Sequence, residues 1–386
     1  MSVHDVIIVG AGPAGSTLAY RLARSGLDVM LLEREHMPRV KPCGGGIDGF
    51  FMQNLPAGLD LDGIIEGEAN TAVVWYEGKP QAEFPIPRPI YLTQRKLLDQ
   101  RLATSAAEQG AHFVEGAKVE SLERHKGQWR VSSTAGEYEA PLVVGADGAY
   151  STVARKVGIP NDKKYRTTYI ASEWDAHVEP SQQEAWQGKV MIDCSVIPLG
   201  YGWIFPKRDH LNLGFGVPFK KGKDLKAITQ HFVAKRSGLN VIDHKAPAHW
   251  IPFAKVGAPV VREGVLLVGD AAGMADPATG AGISWAAKSS ALAAPAIQDA
   301  VMGDPSALPR YQQRIHNMQK DMEAGMALRN LIVLRFAVQS KLWREPFKVT
   351  LRCMSGLTDY SQWAKEHPWQ FRLGRVVQKL LVERLI

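Results

Sequence analysis

Three sets of residues in this chain have the types and spacing that chemistry needs. The first is Gly10-Ala11-Gly12-Pro13-Ala14-Gly15, which follows the β-branched run Val6-Ile7-Ile8-Val9 and opens the apolar-periodic stretch Ser16 to Arg24. Gly10 permits a sharp turn, Gly12 puts no Cβ between the backbone and an approaching pyrophosphate, and Gly15 lets helix and strand pack closely. The helix N-terminus then points free N–H groups and partial positive charge at the phosphates. Glu33 ends the next apolar run, Val29 to Leu32. It is placed to accept hydrogen bonds from a ribose 2′-OH, which favours an adenosine ribose without a 2′-phosphate. The second set is Cys43-Gly44-Gly45-Gly46. Three consecutive glycines are entropically costly and make sense where a backbone passes close to something flat. The third set is Tyr201, Trp203 and Phe205, whose strand spacing puts them on one face. That face lines an apolar tunnel or fills a core.

These residues need elements to hold them. The pattern predicts a βαβ unit over residues 3–33, then short strands at Thr71–Tyr76 and Glu83–Ile86, with Pro85, Pro87 and Pro89 stiffening the return. A helix is predicted from Tyr91 to Ala107 with Thr93 as cap. Strands follow at His112–Glu115, Val119–Arg124 and Trp129–Ser133, and a buried parallel strand at Leu142–Gly148, ending in Asp147-Gly148. Residues 165–253 read as a mostly antiparallel sheet, interrupted by a helix from Leu225 to Arg236 capped by Asp224. The apolar strand Gly264–Val268 ends in Gly269-Asp270, a glycine-rich turn spans Asp276 to Gly282, and Ile283–Val301 is a helix of small residues. The chain from Pro305 onward reads as helical and basic.

With 386 residues there is room for a large core and two intergrown domains. Hydrophobic content of 45% and charged content of 22% are globular values. A net charge of +7 points to acidic partners such as phosphates or anionic lipid. Nucleic acid is not implied, because no basic cluster carries interleaved aromatics. The three cysteines, Cys43, Cys194 and Cys353, are far apart and odd in number, which argues for a reducing compartment rather than a disulfide framework. No CxxC or His/Cys cluster offers a metal site. The nucleotide strand begins within a few residues of Met1, so no signal peptide is expected, and no apolar run approaches the ~18 residues of a membrane-spanning helix. A cytoplasmic location follows, with peripheral contact at the inner membrane surface as a further expectation. Near its end the chain mixes Arg372, Arg375, Lys379 and Arg384 with Trp369, Phe371, Leu373, Val376, Val377, Leu380 and Leu381. That mixture suits a helix lying in a membrane interface or one covering its own core.

Four motifs stand in order: GAGPAG at Gly10, Arg95 at a helix start, GADG at Gly145 and GDAAG at Gly269. This resembles the single-FAD flavoproteins that include aromatic hydroxylases, flavin halogenases and geranylgeranyl reductases. Lys41-Pro42-Cys43-Gly44-Gly45-Gly46 is similar to the cysteine-glycine motif of the geranylgeranyl reductases, and Gly200-Tyr201-Gly202-Trp203-Ile204-Phe205-Pro206 to their YxWxFP signature. The resemblance covers residues 3–300. It implies an α/β fold: a Rossmann-like FAD-binding domain of residues 1–70, 91–164 and 255–304, a second, mostly antiparallel substrate-binding sheet of 71–90 and 165–254, and a helical C-terminal region of 305–386. It implies that Glu33 holds the adenosine ribose, Arg95 the phosphate–ribityl region and Asp270 the ribityl chain. Pro277, Gly280, Gly282 and Ile283 would put backbone N–H groups at the flavin's pyrimidine edge. Pro13, Ala14, Arg34, Gly44 and Gly45 join this cofactor set, and Asp147 and Gly148 shape a turn beside it.

For Cys43 the resemblance implies a place between flavin and substrate, where a thiol donates a proton or orients an alkene. A small buried hydrophobe beside a glycine turn is the other reading. Tyr201, Trp203 and Phe205 would bind substrate. The implied activity is saturation of polyprenyl double bonds by reduced FAD, on a prenyl diphosphate or prenylated lipid in isoprenoid biosynthesis, with NAD(P)H or a ferredoxin as electron donor. FAD-dependent monooxygenation or halogenation is the alternative. Gly273 stands where hydroxylases carry His, and Tyr201 replaces one tryptophan of the halogenase WxWxIP signature, although Asp276-Pro277 is shared with halogenases. The complete set of cofactor motifs argues against a non-catalytic prenyl-binding chaperone.

Overall fold

A computed structural model describes residues 2–196, 200–218, 225, 227–228, 232, 248–337 and 343–379. Its first sheet has six strands in the order Val261–Arg262, Val265–Leu267, Leu142–Gly145, Val6–Val9, Val29–Leu32 and His112–Val114. All pairs are parallel except the edge pair formed by Val261–Arg262. The inner strands Val6–Val9, Val29–Leu32 and Leu142–Gly145 are buried at every position. Uninterrupted apolar runs are what a parallel sheet covered on both faces requires. Helix Pro13–Arg24 packs between helices Arg95–Glu108 and Ile283–Val301. The last approaches closely through small residues, with Thr17 Oγ1 2.8 Å from Ser290 Oγ. A second, small sheet joins Ser2–Val3, Gly136–Ala140, Gln128–Ser133 and Val119–His125.

From Val6–Val9 the chain builds outward through Val29–Leu32 to His112–Val114, and then returns to add Leu142–Gly145 on the opposite side. Strand order therefore reverses at Val6–Val9. The crevice at the carboxyl ends of these strands is where such folds bind ligands, and Gly10–Gly15, Ala146–Gly148 and Gly269–Asp270 all start there.

The large sheet runs Ala248–Ala254, Arg166–Ala176, Leu211–Pro218, Tyr201–Pro206, Gly188–Asp193, Ile65–Tyr76, Lys79–Thr93 and Gly46–Ile47. Every pairing is antiparallel except Gly188–Asp193 with Ile65–Tyr76. Two strands are far longer than the sequence suggests. Lys79–Thr93 carries Pro85, Pro87 and Pro89, but beyond its partner Ile65–Tyr76 it pairs only with Gly46–Ile47, at Leu92 and Tyr91. Prolines spaced by two turn their missing N–H groups to one side of the pleat, and an edge tolerates that. This strand also absorbs the expected helix start. Thr93 still pairs with Ile65, and its hydroxyl donates to Ile64 O at 2.6 Å. The helix therefore begins at Arg95 with Gln94, not Thr93, at the N-cap. The helix expected at Leu225–Arg236 lies, with Asp224, outside the described residues except at isolated positions.

The C-terminal region is helical: Ala307–Ala337, Arg344–Met354, Tyr360–Glu366 and Pro368–Val377. Ala307–Ala337 packs against Ile283–Val301 and against the three later helices. Arg344–Met354 sits on the edge strand Lys79–Thr93, with the Phe84 ring 5.1 Å from Phe347 and 5.8 Å from Trp343. The whole is an α/β fold with a Rossmann-like domain, a second sheet and a helical C-terminus, and one large cavity lies where the three meet.

Candidate active site

The cavity, partly open to solvent, begins at the glycine turn. Gly12 is the N-cap of helix Pro13–Arg24. A Cβ built on it would meet nothing nearer than Arg39 Nη2 at 3.7 Å and Arg95 Nη2 at 3.9 Å. Two guanidinium groups therefore look onto the space that a pyrophosphate needs. Asp99, fully buried, fixes both: it accepts Arg95 Nε at 2.8 Å and Nη2 at 2.7 Å, and forms an ion pair with Arg39 Nη2 at 2.9 Å. Burial opposes the Arg95 charge, but Asp99 overrides it and holds the guanidinium above its ordinary pKa. Sequence reading missed Arg39; its place in the loop just after Glu33 was the available signal. Glu33 accepts the Ala11 N–H at 2.9 Å and the Glu35 N–H at 3.2 Å, and lies 3.5 Å from Arg39 Nε. It holds the turn in shape. Arg34 points outward and pairs with Glu35.

Across the crevice, Asp270 lines the cavity, with Lys41 Nζ 3.9 Å from its carboxylate. Burial, reinforced by Arg95, pushes the Lys41 amine below its ordinary pKa. Asp147 turns away from the cavity: its Oδ2 accepts the Thr152 and Val153 N–H groups at 2.6 and 3.1 Å and fixes the start of helix Thr152–Lys156. Gly148 remains in the lining. Asp276 organises the next turn. Its buried carboxylate accepts the Ala278 N–H at 2.7 Å and the Tyr360 hydroxyl at 2.8 Å. Ala278 through Ile283 then line the cavity, while Pro277 sits behind them. Gly280 adopts φ +75°, and a Cβ there would fall 2.0 Å from the Tyr201 hydroxyl oxygen.

Tyr201, Trp203 and Phe205 share one face, as their spacing implies. Their rings follow one another at 5.9 and 6.3 Å, tilted by 39° and 40°, and all three line the cavity. The triple glycine passes directly over them. A Cβ on Gly44 would lie 2.9 Å from Trp203 Nε1 and 3.0 Å from the Phe205 ring. The flat object that the glycines accommodate is therefore partly the protein's own aromatic ladder. Lys207, also missed, ties the loop down by donating to Gly44 O at 2.7 Å and Thr93 O at 2.8 Å. Burial lowers its pKa to about 8.

Cys43 stands where these parts converge. Its Sγ accepts the Gly45 N–H at 3.5 Å, and its thiol faces the Arg95 guanidinium. Beyond it the lining becomes apolar, with Ala72, Ile90, Val190, Phe347, Leu351 and Met354. All three cysteines are free thiols. The fold also gathers His4, Asp28 and His112, with Asp28 Oδ1 2.9 and 3.2 Å from the two rings. This trio, unforeseen from spacing, lies outside the cavity lining.

The residues fit FAD. An open cradle at Gly12 faces two fixed guanidiniums for the pyrophosphate. Asp270 and Lys41 present polar groups in mid-cavity, and the Ala278–Gly282 turn presents backbone. The FAD binding domain family matches residues 3–325. A digeranylgeranylglycerophospholipid reductase of Methanothermobacter thermautotrophicus is 31% identical over 355 residues, 85% of this chain and 88% of that one. Among solved structures, a geranylgeranyl bacteriochlorophyll reductase-like protein of Thermoplasma acidophilum superposes with a TM-score of 0.72 at 22% identity, covering 98% of this chain and 92% of its own. The flavin-dependent brominase Bmp2 gives the same TM-score at 21% identity, covering 92% and 94%. Those two likenesses speak for the fold; the family match and the reductase relative speak for the chemistry. The chain is an FAD-dependent oxidoreductase and belongs to the FAD-binding family of geranylgeranyl-type reductases.

Proposed function

We propose that this enzyme saturates carbon–carbon double bonds of a geranylgeranyl or similar polyprenyl chain, carried by a prenyl diphosphate or a prenylated lipid. The observation that carries the reading is the change along the cavity. It is cationic at Gly12, aromatic at Tyr201–Phe205 and aliphatic toward Leu351 and Met354. A cofactor phosphate suits the first end and a long hydrocarbon the last, which brings an alkene to Cys43 between them. FAD, held by Arg39, Arg95, Glu33 and Asp270, supplies a hydride when reduced. Isolated alkenes resist hydride attack, so alignment and a proton source must coincide. The aromatic ladder holds the chain flat, and Cys43 gives or guides the proton to the second alkene carbon. NAD(P)H or a ferredoxin restores the reduced flavin. Such a substrate resides in lipid. Among the described residues no helix is long and apolar enough to cross a membrane, so a peripheral contact through the C-terminal helices serves collection. Mass spectrometry of lipids and prenyl products, after expression with a geranylgeranyl source, tests the proposal. A gain of two mass units per double bond is expected; an added oxygen or halogen would replace this reading by the monooxygenase or halogenase one.

A further inference from the structure

The reduction needs one proton per double bond, and the cavity holds a carboxyl that none of the cofactor contacts uses. Glu173 lies on strand Arg166–Ala176 and lines the cavity with Cys43, Trp203 and Tyr201. The Cys43 amide faces its carboxyl, and its Oε2 is buried with no hydrogen-bond partner. A carboxylate oxygen left so would forfeit solvation without replacement, a far larger cost than a neutral carboxylic acid bears. We infer that Glu173 is the acid of this site, carrying as O–H the proton that ends on the alkene. This deepens the reading under Proposed function and rests on it.

The charged groups around Glu173 pull both ways, Lys207 and Arg95 toward the carboxylate and Asp175 toward the acid, and burial outweighs them. Asp175 on the same strand face repels a second negative charge. Lys207 and Arg95 approach from other elements but spend their hydrogen bonds elsewhere, on Gly44 O and Thr93 O and on Asp99. His249, on the neighbouring strand Ala248–Ala254, is held neutral by burial and by Lys41, its pKa lowered to about 4. Burial is the main influence on Glu173, whose pKa is raised to about 7. The strand reaches solvent on the Asp175 side. Asp175 shares the face of Glu173, is 57% exposed, accepts Asn212 Nδ2 at 3.0 Å and lies 3.3 Å from His210 Nε2. Asn212 Oδ1 in turn accepts the Trp203 indole N–H at 2.9 Å.

In the step, one alkene carbon takes the hydride that reduced FAD provides. The other takes a proton from the Glu173 O–H, directly or by a hop through the Cys43 thiol that leaves the thiol unchanged. Glu173 is left as carboxylate and recovers its proton from solvent past Asp175.

The test uses the full-length, FAD-loaded protein and the variants Glu173→Gln and Glu173→Asp. Infrared difference spectra between parent and Glu173→Gln should show a protonated-carboxyl band that disappears as pH rises through about 7. Glu173→Gln should keep its flavin, lose roughly 100-fold in alkene reduction from pre-reduced enzyme, and lose the fall in rate above neutrality. Glu173→Asp should recover part of the rate. Absence of the band, or a Glu173→Gln variant with the parental rate and pH profile, would overturn the inference. If the parent reduces no prenyl alkene, the proposed function fails, while the infrared titration still decides whether Glu173 stores a proton.

Discussion

Two glycine clusters in this molecule look alike in sequence and do opposite things. At Gly12 the missing Cβ leaves space: the nearest atoms to a hypothetical methyl are 3.7 Å away or more. At Gly44 the missing Cβ leaves none, because Trp203 and Phe205 already stand at 2.9 and 3.0 Å. In the first cluster, Gly12 keeps room for a ligand, while Gly10 and Gly15 pack against protein. The second is packing, in which a backbone is pressed onto aromatic rings so that the rings keep their tilt and the thiol of Cys43 keeps its place. Glycine content alone does not separate a cradle from a contact; the partner across the gap does.

Substitution breaks the comparison most severely at Gly12. Gly12→Val should abolish FAD binding while the fold survives, because the branched side chain occupies ligand space rather than protein space. Flavin absorbance of the purified protein and thermal melting of the apoprotein check the two halves. A variant that keeps its flavin would refute the cradle. Gly44→Ala should show the reverse. FAD should remain bound, and stability should fall by roughly 1–3 kcal/mol as Trp203 and Phe205 are forced aside. Denaturant melts followed by tryptophan fluorescence measure this, and an unchanged midpoint would mean that the ladder yields freely.

The contrast also explains what was legible. The nucleotide half could be read closely because its constraints are local: a strand, a turn and a helix dictate Gly10, Gly12 and Gly15 within one βαβ unit. The identity of what faces Gly44 could not be read, because Trp203 lies about 160 residues away and the contact exists only after the large sheet forms. Arg39, Lys207 and Glu173 escaped for the same reason. Each is ordinary in sequence and becomes notable only through a distant partner: Asp99, Thr93 O or the Cys43 amide. Thr93 was misread because local capping propensity lost to strand pairing with Ile65.

Cys43 sharpens the comparison next. Cys43→Ala and Cys43→Ser should both keep FAD, since neither alters the cradle. The alanine variant should lose about 100-fold in alkene reduction. Serine, a weaker acid that still holds a proton, should lose less. Parental activity in the alanine variant would assign Cys43 to packing alone, like the glycines beside it.

Asp48 joins the two regions, and its effect is smaller. Its Oδ1 accepts the Phe51 N–H at 2.9 Å and the Ser284 hydroxyl at 2.6 Å, linking the glycine loop to the helix that follows the Asp276–Gly282 turn. Burial raises its pKa from 3.8 to about 7. The folded state then binds more protons than the unfolded state between those values, so this group's contribution is full below about pH 4 and is lost as pH rises through about 7. Glu173 acts in the same direction over nearly the same window. Asp48→Asn keeps an acceptor without the charge, so melting temperature should fall less between pH 5 and about 7.5 than in the parent. Identical pH slopes would remove Asp48 as the cause.

The smallest effect expected lies on the outside, where apolar side chains of the described residues are exposed. Helix Pro368–Val377 turns Gly374 onto Ala327 and buries Val377, so that side packs against Ala307–Ala337. Its other side shows Trp369, Leu373 and Val376, at 62%, 38% and 48% exposure. Spacings of four and three put them on one stripe, and Arg372 and Arg375 lie on the same helix. The packed face fits a helix that covers its own domain, and the exposed face is where a membrane contact would form. A part-buried indole contributes about 1 kcal/mol to insertion, or roughly fivefold in partitioning. Trp369→Ser should lower co-sedimentation with anionic vesicles by about that factor and leave FAD content and melting unchanged, because the packed face is untouched. Binding in the parent should rise with the anionic lipid fraction and weaken with salt, which screens exposed cations. Equal sedimentation of parent and Trp369→Ser at every lipid composition would remove this stripe as the membrane contact and leave the helix as a cover for its own domain.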